Sequence, residues 1–335
     1  MTTTTIALDI AKEKIHVYGV DSQNRVIIDK VFNRKKLLSF LANHQPVKIF
    51  MESCAGSNWL CQRLNQMGHH ASRISAQHVK PYASHQKNDR NDARAILEAS
   101  RRPGALFVGV KSPWQQELQC LHKMRDRRLR DYKALNSQIR GFLFEFGILV
   151  PTSSAKFFKV IPKVLEEAES SLSGIIRDEI YELFVECRNH YLKAEELEKK
   201  IRDYCSESHF YRKAIEEISG VGPLVASRFL STISSPSNFR NGRQVSAHLG
   251  LVPRQYSSGG RTRLGGITKN GDIGLRTMLI QGARARLASL VKKQYPTQEQ
   301  SKLLMWVEKK GFNVAAVALA NRNARQMWAI MNKCA

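Results

Sequence analysis

Four acidic residues have the type and placement for phosphoryl chemistry. Asp9 lies inside the apolar run Ile6-Ala7-Leu8-Asp9-Ile10-Ala11, and Glu52 ends a second such run, Val47-Lys48-Ile49-Phe50-Met51-Glu52. Asp89 and Asp92 stand one helical turn apart in Lys87-Asn88-Asp89-Arg90-Asn91-Asp92-Ala93. An ionised side chain within a buried strand is costly without a partner. Carboxylates are hard oxygen ligands that suit magnesium. Two such ions stabilise both the attacking and the leaving oxygen of a phosphoryl displacement. The four acids therefore read as one group that holds divalent metal against phosphate. Taken singly, Asp89 and Asp92 would also serve as a helix N-cap and a first-turn acid. Asp9 and Glu52 would serve as strand-end acids facing water.

A second cluster of chemistry lies near the other end of the chain. From Leu251 to Leu290 there are seven basic residues (Arg254, Arg261, Arg263, Lys269, Arg276, Arg284, Arg286) and one acid, Asp272. Glycines at 259, 260, 265, 266, 271 and 274 are interspersed. Such a loop can lie closely on a phosphodiester backbone. Within it, Ser257-Ser258-Gly259-Gly260 offers a hydroxyl nucleophile whose developing charge guanidinium groups would stabilise. Ser257 and Ser258 share that chemistry, and a Ser-Gly step is also common in plain turns. Upstream, Ile218-Ser219-Gly220-Val221-Gly222-Pro223 has the form of a helix-hairpin-helix turn, with Gly220 and Gly222 as candidate phosphate contacts. A simple connection between helices explains that turn equally well. His78, His85 and His248 have no metal-ligand spacing and read as structural or surface residues.

Positioning the first cluster requires a sheet. Thr5 to Ala11, Lys14 to Val20 and Arg25 to Val31 read as three consecutive strands. Asn33 caps a helix carrying Leu37, Leu38, Phe40 and Leu41. Val47 to Met51 is a buried strand, Asn58 to Met67 a helix, His70 to Ile74 a short strand and Asp89 to Ser100 a helix. Three hairpin strands followed by alternating helices and strands is the order of an α/β RNase H-like domain, assigned to residues 1–105. Residues 112–208 read as a helical hairpin. The stripe of Leu118, Leu121, Leu129 and Leu135 suggests a coiled coil that pairs with another protomer, or an ordinary bundle core. Residues 211–335 form a mainly α C-terminal domain.

Bulk composition fits a polyanion partner. The formal net charge is +24, from 53 Lys and Arg against 29 Asp and Glu. That excess draws nucleic acid from a distance and binds it by counterion release. No apolar run reaches membrane-span length, and the first residues lack the pattern of a signal peptide. The six cysteines are scattered without a C-x-x-C pair, which fits a reducing cytoplasm. Three readings stand at this level: a DNA-processing enzyme, a structure-specific nuclease using metal-activated water, and a non-catalytic nucleic-acid-binding protein.

Over nearly its whole length the chain resembles the DEDD transposases of the Piv-like recombinases, the one-hundred-and-ten family of insertion sequences. The family's D-x-A-K motif is similar to Asp9-Ile10-Ala11-Lys12, and its glutamate motif to Glu52-Ser53-Cys54-Ala55-Gly56. The K-x-D-x-x-D-A motif matches Lys87 to Ala93. The C-terminal G-L-x-P-R-x-Y-x-S-G motif matches Gly250 to Gly259. Asn88 stands where Thr is more usual, and the glutamate motif is one residue longer. With Lys80-Pro81-Tyr82, these departures resemble the eleven-eleven branch. The resemblance implies a transposase domain joined by a coiled coil to the RuvC-like domain. It implies magnesium-dependent strand exchange between donor and target double-stranded DNA. It further implies covalent attack by Ser258, giving a 5′-phosphoserine, and a structured noncoding guide RNA, the bridge RNA. The motif's Ser-Gly step is what favours Ser258 over Ser257. A homo-oligomer, dimer or tetramer, is implied, in which one protomer's serine can meet another's acids.

Overall fold

The computed structural model describes residues 3–83, 89–103, 105, 107–167 and 171–334. His85, Lys87, Asn88 and the Asp89 side chain lie outside the described residues. The chain divides into two compact units, residues 1–112 and 113–335.

The first unit is built on six strands: β1 (Thr5–Ile10), β2 (Ile15–Val20), β3 (Val26–Phe32), β4 (Lys48–Glu52), β5 (His70–Ile74) and β6 (Phe107–Val108). Their order across the sheet is β3-β2-β1-β4-β5-β6. β1, β2 and β3 pair antiparallel in sequence, whereas β4 runs parallel to β1 and β5 parallel to β4. β6 adds an antiparallel edge strand that the sequence did not announce. A pair of residues offers too little periodicity to read. Four helices cover the sheet: α1 (Arg34–Ala42), α2 (Ser57–Gln66), the short α3 (Ala76–Val79) and α4 (Asp89–Arg101). As expected, Asn33 caps α1, its side chain accepting from the Lys36 amide at 2.8 Å.

Strand alternation sorts the core into two layers. Ile6, Leu8, Ile49 and Met51 face Leu37 and Leu41 of α1 and Leu60 and Leu64 of α2. Ala7, Tyr18 and Phe50 face the opposite way, onto Ala93, Ile96 and Leu97 of α4. The sheet is thus buried on both faces, which explains why β1 and β4 read as continuous apolar runs rather than alternating ones.

The second unit is mainly helical. It contains α5 (Pro113–Glu145), α6 (Ser154–Glu166), α7 (Gly174–Cys205), α8 (His209–Glu217), α9 (Pro223–Thr232), α10 (Gly242–His248), the strands β7 (Pro253–Gln255) and β8 (Leu264–Ile267), then α11 (Ile273–Val291), α12 (Gln298–Lys310) and α13 (Phe312–Cys334). α5 and α7 run antiparallel: Arg125 bonds Glu198, Arg128 stands 3.4 Å from His190, and the Cys187 thiol reaches the Tyr132 carbonyl.

The leucine stripe of α5 is used within the chain. Leu118 is fully buried with Ile201, Phe210 and Phe229, and Leu121 packs on the same cluster. Leu129 and Leu135 pack around Tyr132, Ile139, Phe157 and Phe184. α6, α7 and α9 thus supply intrachain partners for the stripe, of which Leu118 is fully buried and Leu121, Leu129 and Leu135 are half-buried. The same packing joins segments 112–208 and 211–335 through one core, since α5 and the end of α7 supply part of it.

A buried polar group in this unit sets a pH dependence. The His122 ring lies 3.1 Å from the Ser227 hydroxyl, and burial followed by the Arg228 charge pushes its pKa down to about 4. Its folded value is depressed, so its contribution is complete above the ordinary 6.5 and is lost as pH falls toward 4. The drop across that window should be roughly 3 kcal/mol at most. Chemical denaturation of wild type and His122→Asn across the window checks it. The variant should start less stable and show a flatter decline.

Candidate active site

β1 and β4 carry their acids to one edge of the sheet. Their register pairs Leu8 with Met51, so Asp9 and Glu52 are the next residues along two adjacent parallel strands. By alternation each follows Ala7 and Phe50 onto the α4 face. α4 lies on that face and brings Asp92 in its first turns. All three side chains are half-buried. Open α/β sheets bind ligands outside the carboxyl ends of parallel strands, and this edge is such an end.

The electrostatics of these side chains are mutual. The Glu52 carboxyl is raised above the usual carboxylate range, first by burial and then by the Asp92 charge. The Cys54 thiol is also raised, by burial, then by Glu52, then by Asp9. Glu52 and Asp92 therefore repel each other, and the charges of Glu52 and Asp9 are both felt at Cys54. Among the described residues, no group of three or more His, Cys, Asp and Glu side chains is close enough to hold a metal ion. The donor set nonetheless suits one. It consists of hard carboxylate oxygens whose repulsion a divalent cation would relieve.

That repulsion gives a measurable sign. A raised folded pKa means that the contribution is present below the ordinary carboxylate range and lost as pH rises through the raised value. Once ionised, Glu52 therefore destabilises the fold. Glu52→Gln should raise the melting temperature in the presence of a chelator. Magnesium or manganese should raise the melting temperature of wild type and do so less for the variant. Differential scanning fluorimetry with and without divalent ions reads both.

A hydrogen-bonded triplet braces α4. The Asp29 carboxylate of β3 stands 2.8 Å from His16 Nε2 and accepts from Arg90 Nε at 2.6 Å. His16 sits opposite Asp9 in the β1–β2 register and is buried. Arg90 lies in the first turn of α4, beside the acids. Sequence reading passed over Asp29 and His16. Pairing the registers of the first two hairpins would have placed both near Asp9.

The basic, glycine-rich serine segment is organised as a β-hairpin. β7 pairs antiparallel with β8, and Ser258 bridges Arg261 at the tip. Gly259 and Gly260 have φ of +56° and +76°. These are the left-handed conformations that a two-residue hairpin turn demands. Ser257 and Ser258 differ here. The Ser257 hydroxyl accepts from Gln255 Nε2 at 3.0 Å and from the Arg263 amide at 3.3 Å, bracing the hairpin. No side-chain hydrogen bond of Ser258 occurs among the described residues. Ser258, Arg254, Arg261, Arg263 and Lys269 are all exposed.

Two other residues of this segment are internal rather than ligand-facing. Arg276 is buried, and its guanidinium donates to the Leu249 and Asn270 carbonyls at the hairpin's base. Asp272 caps α11 and accepts from the buried Arg228, which also pairs with Asp126 of α5. The Gly220 turn joins α8 to α9. A Cβ on Gly282 would stand 2.1 Å from the Gly220 carbonyl oxygen, so close packing against α11 accounts for the turn. Gly222 faces open space.

Comparison with known proteins matches two segments of the chain. Residues 6–148 match a DEDD transposase family of the IS110 type, and residues 212–297 match the family described as Transposase IS116/IS110/IS902. The chain is 35% identical over 335 residues to a probable family 20 transposase of Pseudomonas aeruginosa, covering 99% of this chain and 98% of that protein. It is 36% identical to the transposase for insertion sequence element IS1111A of Coxiella burnetii, covering 98% of this chain and 89% of the relative. It is 33% identical to the transposase for insertion sequence element IS1328 of Yersinia enterocolitica, covering 98% and 96%.

Proposed function

The chain belongs to the IS116/IS110/IS902 family of insertion-sequence transposases, and on that premise we propose that it exchanges strands between donor and target DNA through a covalent phosphoserine at Ser258, guided by a structured noncoding RNA. The family implies dependence on a divalent metal. The observation that supports the reading is that Asp9 and Glu52 follow paired positions of two parallel strands while the Asp92 charge raises the Glu52 carboxyl, on a sheet ordered as in RNase H-like, RuvC-type domains. Among the described residues, no helix is long and apolar enough to cross a membrane.

In this reading Asp9, Glu52, Asp89 and Asp92 would hold two magnesium ions, which supply charge neutralisation at the scissile phosphate. The protein's residues do the rest. The Ser258 oxygen forms a bond to phosphorus, the bond to the 3′ oxygen breaks, and the 3′ hydroxyl departs with a proton. A 3′ hydroxyl from the other DNA then attacks the phosphoserine and releases the serine. Arg254, Arg261, Arg263 and Lys269 hold the phosphodiester around the hairpin, with Gly222 as a further backbone contact. The Ser258 hydroxyl suits attack because it is not tied into the hairpin, whereas Ser257 is. The protomers act as a dimer or tetramer, since two DNA partners must be joined.

The test is a joining reaction with purified protein. Its substrates are donor and target duplexes, its cofactor is magnesium, and its guide is RNA transcribed from the noncoding DNA flanking the gene. Joined product that needs all of these supports the proposal. Joining without RNA removes the guide. Cleavage without joining indicates a water-using nuclease, and binding without cleavage indicates a non-catalytic role.

A further inference from the structure

The same sheet edge carries an exposed aromatic residue that the proposed chemistry does not use. Trp59 sits in the first turn of α2, just beyond the loop that follows Glu52, and is 42% exposed. The Arg34 guanidinium carbon lies 5.2 Å from the centroid of its ring. Arg34 is the first residue of α1, which follows β3. β3 pairs antiparallel with β2, and β2 antiparallel with β1, so β3 runs parallel to β1. The carboxyl ends of β1, β3 and β4 therefore share one edge. Asp9, Glu52, Arg34 and Trp59 all belong to it.

The backbone that carries the ring is anchored on either side. The neighbouring Asn58 side chain exchanges two hydrogen bonds with the Lys111 backbone, at 2.9 and 3.0 Å, and Gln62 bonds the same carbonyl. Arg34 Nη2 hangs 3.8 Å from where a Cβ on Gly56 would stand, over the loop after Glu52. Exposed Lys12 and Lys14 in the β1–β2 turn, and Lys35 and Lys36 beside Arg34, surround the edge with positive charge.

We infer that Trp59 and Arg34 form a stacking platform for an unpaired base of the DNA strand presented to the acids. Indole and guanidinium planes both stack on nucleobases, and such stacking tolerates any base. Bases in a duplex already stack on one another, so only an unpaired base can use the platform. The flanking lysines supply the phosphate contacts. The inference rests on the proposed function for its DNA partner, and it adds that the strand is unpaired where it meets this edge.

The test is binding, not cleavage, so loss of catalysis and loss of the platform are distinguishable. Full-length protein is titrated against an oligothymidylate and against a duplex of equal length, by fluorescence anisotropy at elevated salt. Salt weakens phosphate contacts across this basic chain and leaves stacking comparatively intact. Trp59→Ala and Arg34→Ala should each lower single-strand affinity about tenfold, with duplex affinity nearly unchanged. Trp59→Phe should recover most of the loss. Arg34→Lys should not, because an ammonium has no plane to stack. Tryptophan fluorescence of wild type should be quenched by the oligothymidylate, and less so in Trp59→Phe. Unchanged single-strand affinity in a folded Trp59→Ala protein would overturn the inference and leave the ring as a surface for something other than DNA. Equal losses for single strand and duplex would also overturn it, because they indicate ordinary phosphate contact. If Trp59→Ala fails to fold, Arg34→Ala decides the matter, since its side chain is exposed at the start of a helix.

Discussion

Asp92→Asn and Asp9→Asn should each abolish strand cleavage, by roughly a thousandfold or more, and leave DNA affinity close to wild type. The magnitude follows from losing several kcal/mol of charge stabilisation at the phosphate, at about 1.4 kcal/mol per tenfold. The small effect on binding follows from where affinity comes from. Contacts between Lys or Arg and phosphate dominate it, and either change only makes a chain of formal charge +24 slightly more positive. Asp178→Asn, at an exposed position of α7, serves as the control and should cleave normally. Cleavage assays paired with anisotropy titrations separate the two effects. An Asp92→Asn protein that cleaves within a few-fold of wild type removes the acids from the reaction.

Ser258→Ala should lose the covalent protein–DNA species and all joined product, while Ser257→Ala keeps both at a reduced level. The asymmetry comes from the hairpin. The Ser257 hydroxyl accepts two hydrogen bonds that brace β7 against β8, so its loss loosens the hairpin that presents Ser258. Removing Ser258 deletes the proposed nucleophile without disturbing any side-chain hydrogen bond seen among the described residues. Denaturing gels of reactions with end-labelled DNA show the adduct directly. If Ser258→Ala still forms it, the nucleophile is elsewhere.

Much of the first unit was legible because its signals are local. β1, β2, β3, β4 and β5 fall within a residue or two of the expected runs, since buried apolar stretches bounded by turn residues leave few alternatives. Asn33 and the start of α4 followed from capping and helical spacing. Placing Asp9 beside Glu52 required only parallel pairing of two strands, and the register provides it. Information that depends on distant partners was not legible. The Asp29–His16–Arg90 triplet joins residues from three elements. The α5 leucine stripe looks identical whether its partner is another protomer or α7 and α9. The glycines near the serine read as ligand-facing, yet a Cβ on Gly271 would meet the His248 carbonyl at 2.1 Å and one on Gly274 the Arg228 guanidinium. Internal packing explains Gly271 and Gly274, whereas a Cβ on Gly259, Gly260 or Gly266 would meet nothing within 4 Å. The β7–β8 hairpin was missed because β7 spans only Pro253–Gln255 and the strands are fully exposed or nearly so, so neither shows a buried face to reveal period two.

The most direct measurement of the central claim is the identity of the residue that carries DNA. Complete reactions of wild-type protein with magnesium, guide RNA and both duplexes are stopped in denaturant, digested with nuclease and protease, and sequenced by tandem mass spectrometry. The expected product is a nucleotide remnant joined through phosphate to Ser258, absent when magnesium is withheld and absent from Asp92→Asn. A remnant on any other residue, or DNA cleaved and joined with no protein adduct at any time, would contradict it.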